Sequence, residues 1–177
     1  MKVELLEENK VDSQRLLQEI RELRERHPEY NQFCITSETP NDLFTGAGKC
    51  LNAEDYIILN DMFKGSYLET LINEYNEFFR WRILCLPHKT TYTIHKDCMD
   101  PDFMNVRIHI PVVTNPDAYL VFYEDELHVS GKQTIEYHHL KEGNIYKVDT
   151  TDFHTGVNYS HDVERIHIVA EKWVPYE

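Results

Sequence analysis

The sequence predicts a mainly β protein: two antiparallel sheets forming a double-stranded β-helix of the jelly-roll, cupin-like kind, with N-terminal helices packed on it. Three observations carry this expectation. Beyond Arg80 the chain breaks into eight short runs rich in Val, Ile, Tyr and Phe, the composition of strands in a double sheet. Turn-forming residues separate those runs, at Pro87-His88-Lys89, Thr114-Asn115-Pro116, Ser130-Gly131, Gly143-Asn144 and Ser160-His161-Asp162. Apolar residues recur at helical spacing only before residue 80.

With 177 residues, 41% of them hydrophobic, the chain is long enough to bury one core without disulfides. We read residues 1–177 as a single domain, with a helical and irregular part over 1–79 and the jelly-roll core over 80–177. From Asp12 to about His27 the residues Leu16, Leu17, Ile20 and Leu23 form one helical face, with Asp12 placed to cap it and Pro28 to stop it. Residues 29 to 52 carry Thr-Pro-Asn-Asp and Thr-Gly-Ala-Gly and read as an irregular surface stretch. Ser66 and Glu69 make a capping box for a second helix from about Tyr67 to Phe79. The expected strands are Arg80 to Leu86, Tyr92 to His95, Val106 to Val113, Ala118 to Glu124, Lys132 to His139, Ile145 to Val148, Phe153 to Tyr159 and Arg165 to Trp173.

Charge and cysteines bound the function. There are 31 acidic residues against 18 basic ones, a formal charge of -13, so the surface repels phosphate backbones and anionic membranes and argues against a nucleic-acid or membrane partner. No apolar run approaches the eighteen or so residues of a membrane span, and the N-terminus lacks the apolar core of a signal peptide. Cys34, Cys50, Cys85 and Cys98 show no CxxC pair and read as reduced thiols of a cytoplasmic protein.

The chemistry lies in four segments: Thr-Tyr92-Thr-Ile-His95-Lys-Asp97, Val-Arg107-Ile-His109-Ile, Phe-His154-Thr-Gly-Val-Asn158 and Arg165-Ile-His167-Ile. Residues two apart share a strand face. His95 therefore aligns with Asp97, Arg107 with His109, His154 with Asn158, and Arg165 with His167, while Ile and Val fill the opposite face. A His-x-Asp pair with a distant His is the two-histidine, one-carboxylate set that holds iron(II) and leaves positions open, although zinc also accepts these ligands. Two inward arginines need partners, because unpaired buried charge costs several kcal/mol; a metal and a bound anion would supply them.

In this order the segments resemble the aspartyl/asparaginyl beta-hydroxylase family, iron(II)- and 2-oxoglutarate-dependent dioxygenases that include proline 3-hydroxylases. The resemblance covers about Arg82 to Pro175. It implies that His95, Asp97 and His154 ligate iron, that Arg165 pairs with the distal carboxylate of 2-oxoglutarate, and that Arg107 and His109 help hold that cosubstrate. Asp97 stands where the vertebrate aspartyl/asparaginyl enzymes have glycine, which places the chain nearer the proline hydroxylase branch. Leu84 corresponds to a serine that contacts the cosubstrate in some relatives.

The expected activity is hydroxylation of a C–H in an amino acid or a peptide residue, using O2 and releasing succinate and CO2. A non-catalytic cupin-type protein that binds a metal or a carboxylate is the alternative, and a metal-dependent isomerase or hydrolase a third reading. Candidate substrate contacts are His167, Asn158, Arg82 and Tyr92. Arg80, Arg82, His88 and Lys89 read as a solvated strand edge, and the segment from Cys98 to Asn105 as a lid or a hydrophobic plug. Nothing in the sequence fixes an oligomeric state.

Overall fold

The computed structural model describes residues 1–45, 53–97, 102–123 and 135–175. In chain order the elements are β1 (Val3–Glu7), α1 (Ser13–Arg26), β2 (Gln32–Cys34), β3 (Thr36–Ser37), β4 (Ile58–Leu59), α2 (Tyr67–Glu74), β5 (Phe79–Leu86), β6 (Thr90–Thr91), β7 (Phe103–Val113), β8 (Ala118–Tyr123), β9 (Ile135–His138), β10 (Ile145–Asp149), β11 (Phe153–Asn158) and β12 (Arg165–Pro175). Six strands form one sheet in the order β1-β10-β7-β12-β5-β2, and four form a second in the order β6-β11-β8-β9. Every pairing in them is antiparallel. The expected mainly β double sheet is the fold.

Alternation along the strands decides what each face of the large sheet meets. Val106, Ile108, Ile110 and Val112 of β7, Ile166, Ile168 and Ala170 of β12, and Trp81, Ile83 and Cys85 of β5 lie in one buried apolar cluster with Leu16, Ile20 and Leu23 of α1 and Leu68 and Leu71 of α2. The helices thus cover one face of the sheet. The other face turns toward the four-stranded sheet, where Leu120 and Phe122 of β8 pack with Tyr146 and Val148 of β10.

Both helices start as the sequence predicts. The Asp12 side chain accepts from the Arg15 N–H, and the Ser66 side chain from the Glu69 N–H, each satisfying a donor that the first turn leaves open. Glu19 of α1 adds a further cap, accepting from the N–H groups of Tyr67 and Leu68 at 2.7 and 3.0 Å. The second helix ends at Glu74, not near Phe79. Its apolar stripe continues through Tyr75 and Phe78, but Phe78 N–H turns back to the Tyr75 carbonyl and the chain enters β5 at Phe79.

The stretch read as irregular surface carries two strands. Phe33, Cys34, Ile35, Thr36 and Ser37 are buried, and β2 pairs with β5. That pairing covers the edge on which Arg80 and Arg82 were expected to be solvated; they are 2% and 4% exposed, whereas His88 and Lys89 in the following turn are exposed. Arg80 has φ +52°, and the β5–β12 register shifts between Val169 and Glu171, a bulge that admits one extra residue into β5.

The expected strand at Tyr92 to His95 is shorter and earlier, at Thr90–Thr91, with His95 forming a single bridge to His154. Of the expected lid, Phe103 to Asn105 belong to β7, and its residues 98–101 lie outside the described residues. So do Cys50, Cys98, the Gly-Ala-Gly of the N-terminal part, the Ser130-Gly131 turn, Glu124, and the start of the run expected from Lys132. Cys34 and Cys85 are buried and form no disulfide. Among the described residues no helix is long and apolar enough to cross a membrane.

Candidate metal centre

The segment after β6 runs alongside β11 without becoming a regular strand. Three backbone bonds hold it: Tyr92 N–H to the Gly156 carbonyl at 3.0 Å, His95 N–H to His154 at 3.1 Å and Asp97 N–H to Thr150 at 3.2 Å. His154 N–H returns a bond to the His95 carbonyl at 2.9 Å. This clip brings His95, Asp97 and His154 together, with one donor atom from each lying within 4.8 Å of the others.

Backbone carbonyls set the tautomer of both imidazoles. His95 Nδ1 lies 2.6 Å from the Thr93 carbonyl, and His154 Nδ1 lies 2.9 Å from the Asp152 carbonyl. A carbonyl only accepts, so each Nδ1 carries the proton and each Nε2 presents a lone pair. Those Nε2 atoms face Asp97, at 3.5 Å from Oδ1 for His95 and 3.4 Å from Oδ2 for His154. Asp97 Oδ2 is buried, and among the described residues the Arg107 guanidinium is its ion-pair partner. Two lone pairs turned on a carboxylate suit a cation between them, and the donors N, N and O with carbonyl-fixed rings are those of an iron(II) or zinc site.

Burial works to raise the Asp97 carboxyl, but the Arg107 guanidinium and the two imidazoles hold it well below the usual carboxylate range. Arg107 Nη1 lies 2.8 Å from Asp97 Oδ2, and Nη2 lies 3.5 Å from Glu171. The hydrogen bond to Asp97 raises His95 above its ordinary value, against burial.

These residues open on a cavity of about 450 Å3 between the sheets, lined by His95, Asp97, His154, Arg107, His109, Arg165, Arg82, Tyr92 and Gln32 among others. Arg165 is 2% exposed. Its Nη1 donates to the Tyr119 carbonyl at 3.3 Å, and its Nε has no partner. Burial pushes it down to about 10. The guanidinium lies against Gly156, where a Cβ would stand 2.9 Å from Nη1; the glycine leaves that space for the arginine. Tyr92 flanks the same glycine, and its hydroxyl donates to the Cys85 carbonyl at 3.3 Å.

Two expected contacts find other partners. Asn158 is fully buried, but its amide donates to the carbonyls of Leu86, Pro87 and Val163 and its oxygen accepts from Asn115 and Ser160. It ties β11 to the ends of β5 and β12, leaving no capacity for a ligand. His167 turns inward as its parity requires, yet meets His109 edge-on with Nδ1 atoms 3.4 Å apart; it is not among the described residues lining the cavity. Burial holds both imidazoles well below the ordinary histidine value, so the pair is neutral.

Two residues of this centre were not anticipated. Glu171 is 2% exposed and lies 2.8 Å from Arg80; its parity with Arg165 and His167 was the available signal. Gln32 reaches the cavity from β2.

No family model matches the chain, and no curated protein does. Solved structures match in fold. AviO1 from Streptomyces viridochromogenes is 10% identical, with 98% of this chain and 89% of that one covered and a TM-score of 0.59. HygX from Streptomyces hygroscopicus, solved with nickel and 2-oxoglutarate bound, is 9% identical over 98% of this chain and 81% of that one, with a TM-score of 0.56. The non-heme alpha-ketoglutarate-dependent epimerase SnoN is 14% identical over 55% of this chain, which spans 48% of it, with a TM-score of 0.44. The first two cover almost all of the chain and share its fold.

Proposed function

We propose that the cavity is the active site of an iron(II)- and 2-oxoglutarate-dependent dioxygenase that hydroxylates an unactivated C–H of an amino acid or a peptide residue. One observation carries the reading. His95 Nε2, Asp97 and His154 Nε2 converge with their tautomers fixed, while a buried arginine with an unpartnered Nε opens on the same cavity. HygX, of like fold, binds nickel and 2-oxoglutarate, and the order of these residues resembles the aspartyl/asparaginyl beta-hydroxylase family.

Iron(II) bound with 2-oxoglutarate and O2 supplies the oxidising power to break a C–H bond, with succinate and CO2 released. The chain's part is placement. His95, Asp97 and His154 would hold the metal, and Arg165 the distal carboxylate of 2-oxoglutarate, through a planar fork matched to it. Arg107 has its fork turned to Asp97 and Glu171, so we assign it to orienting Asp97. Neutral His109 lines the cavity without adding charge.

Anaerobic titration with iron(II) and then 2-oxoglutarate tests this. A weak visible charge-transfer band is expected only with both present. Arg165→Ala should weaken 2-oxoglutarate binding about 10- to 100-fold, the worth of a charge-assisted bond of about 1.5–3 kcal/mol, with iron binding intact. No band in the wild-type protein, or unchanged cosubstrate affinity in the variant, overturns the assignment.

A further inference from the structure

The cavity holds a second buried arginine that the proposed metal and cosubstrate leave without a partner. Arg82, in the middle of β5, is 4% exposed, and its Nε and Nη2 are buried with no hydrogen-bond partner. Its neighbours use the available carboxylates. Arg80 lies 2.8 Å from Glu171, and Arg107 lies 2.8 Å from Asp97 and 3.5 Å from Glu171. Two guanidinium groups thus take up the two carboxylates, and Arg82 makes no ion pair among the described residues. On the paired strand β2, Cys34 stands opposite Arg82, and two residues away on the same face Gln32, opposite Leu84, has a buried Oε1 with no donor.

Position separates this group from the cosubstrate's arginine. Arg165 stands opposite Leu86, four residues along β5 from Arg82, a displacement of about 13 Å at about 3.3 Å per residue. A diacid whose distal carboxylate sits on Arg165 is thereby anchored at a point on β5 well separated from the one that carries Arg82. The space is suited to a second small molecule: about 450 Å3 lies in the lower part of the range of about 300–1,000 Å3 for small-molecule sites, and it must hold the cosubstrate as well.

We infer that Arg82 and Gln32 form a subsite for the free carboxylate of the primary substrate, a small organic acid carrying a hydrogen-bond donor next to its carboxylate. Arg82 offers two parallel N–H groups to the carboxylate, the geometry that distinguishes arginine from lysine. Gln32 Oε1 accepts from the adjacent hydroxyl or ammonium group. Because the guanidinium is buried, the acid has to enter the cavity whole, which a residue in the middle of a folded chain cannot do. Calling the occupant the substrate rests on the dioxygenase reading; the subsite itself rests on the unpartnered donors.

The probes are C3–C9 monocarboxylic acids, unsubstituted, 2-hydroxy and 2-amino, each paired with its primary amide and with the N-acetyl form of the amino acids. Each is titrated calorimetrically into metal-free protein and into protein loaded with Ni(II) and 2-oxoglutarate. Binding by at least one acid, with its amide about tenfold weaker or worse, is expected. Arg82→Met should lose that acid while keeping 2-oxoglutarate affinity in the presence of Ni(II). The same variant should melt higher than the wild-type protein without ligand, since an apolar side chain of similar size removes an unpaired buried charge; a purely structural arginine would instead lower the melting temperature.

A panel in which no acid binds, acid binding equal in Arg82→Met, or a lower melting temperature in that variant overturns the subsite. Loss of 2-oxoglutarate in Arg82→Met with retention in Arg165→Ala overturns it too, by giving Arg82 to the cosubstrate. Acids that bind through Arg82 while Ni(II) and 2-oxoglutarate do not bind leave the subsite standing and remove the dioxygenase reading. Preference between the free and N-acetyl amino acids separates a free acid from the C-terminus of a peptide.

Discussion

The two faces of the six-stranded sheet are made from the same strands and obey different rules. On the helix-covered face, Val106, Ile108, Ile110 and Val112 meet Ile166 and Ile168 in one buried apolar cluster. On the cavity face the intervening residues include Asn105, Arg107, His109, Arg165, His167 and Glu171, with Val169 among them. The first face works by non-directional packing and tolerates apolar exchanges of equal volume. The second works by direction, since Arg107, Arg165, His109 and His167 are each placed by one or two named partners. A one-residue slip would exchange the faces, so the apolar side holds the register on which the polar side depends. Stability and chemistry are thereby assigned to opposite sides of one backbone.

The largest expected effect tests that division from the packed side. Trp81 is 1% exposed, and Trp81→Ala should cost about 3–5 kcal/mol in a urea melt while metal and 2-oxoglutarate affinities of the folded protein stay unchanged. Next comes the residue that breaks the division, because Glu171 belongs to the polar face and carries stability. Glu171→Gln should cost about 3 kcal/mol at neutral pH, as an uncompensated buried charge does.

The pH dependence sharpens that case. Burial would raise the Glu171 carboxyl, but Arg107, Arg82 and Arg80 hold it below its ordinary value. Its folded value is therefore below its unfolded one, and its contribution, complete above about pH 4.3, is lost as pH falls through the folded value. Acid melts should show that loss in the wild-type protein and not in Glu171→Gln.

Smaller effects belong to the cavity alone. Gly156→Ala places a Cβ 2.9 Å from Arg165 Nη1 and should cost about 1 kcal/mol of stability through overpacking, with 2-oxoglutarate affinity down about tenfold and metal affinity kept. His154→Ala should change the metal-free protein by about 1 kcal/mol or less and abolish metal binding in the same titration. A stability loss as large as that of Trp81→Ala would show that the cavity face carries packing after all.

What the sequence revealed follows the same line. Alternation in β7 and β12 is enough to place Arg107, His109, Arg165 and His167 inward, because long strands with one apolar face advertise their parity. β1 gave little such signal: Leu5 and Leu6 are 48% and 39% exposed, so apart from Val3, which packs on the cluster of Leu120 and Phe122, it is held by backbone pairing to β10. β2, at three residues, is too short to alternate, and overlooking it left Arg82 on an edge it does not occupy. The bulge at Arg80 depends on a positive φ at a residue type that seldom adopts it. Asn158 had the right parity but spends its amide on backbone carbonyls, which periodicity cannot distinguish from a ligand contact.

β12 follows every other described strand in the chain, yet it sits between β7 and β5 at the middle of the large sheet. Until it arrives, β1-β10-β7 and β5-β2 have no shared neighbour and remain two separate ribbons. Assembly is therefore ordered by contacts far apart in sequence, such as Arg165 with Leu86 and Pro175 with Phe103, and such contacts make folding slow. A ribosome-bound chain stopped short of residue 165 would hold both ribbons with nothing to zip them, and the strand that completes the sheet is the one that delivers Arg165.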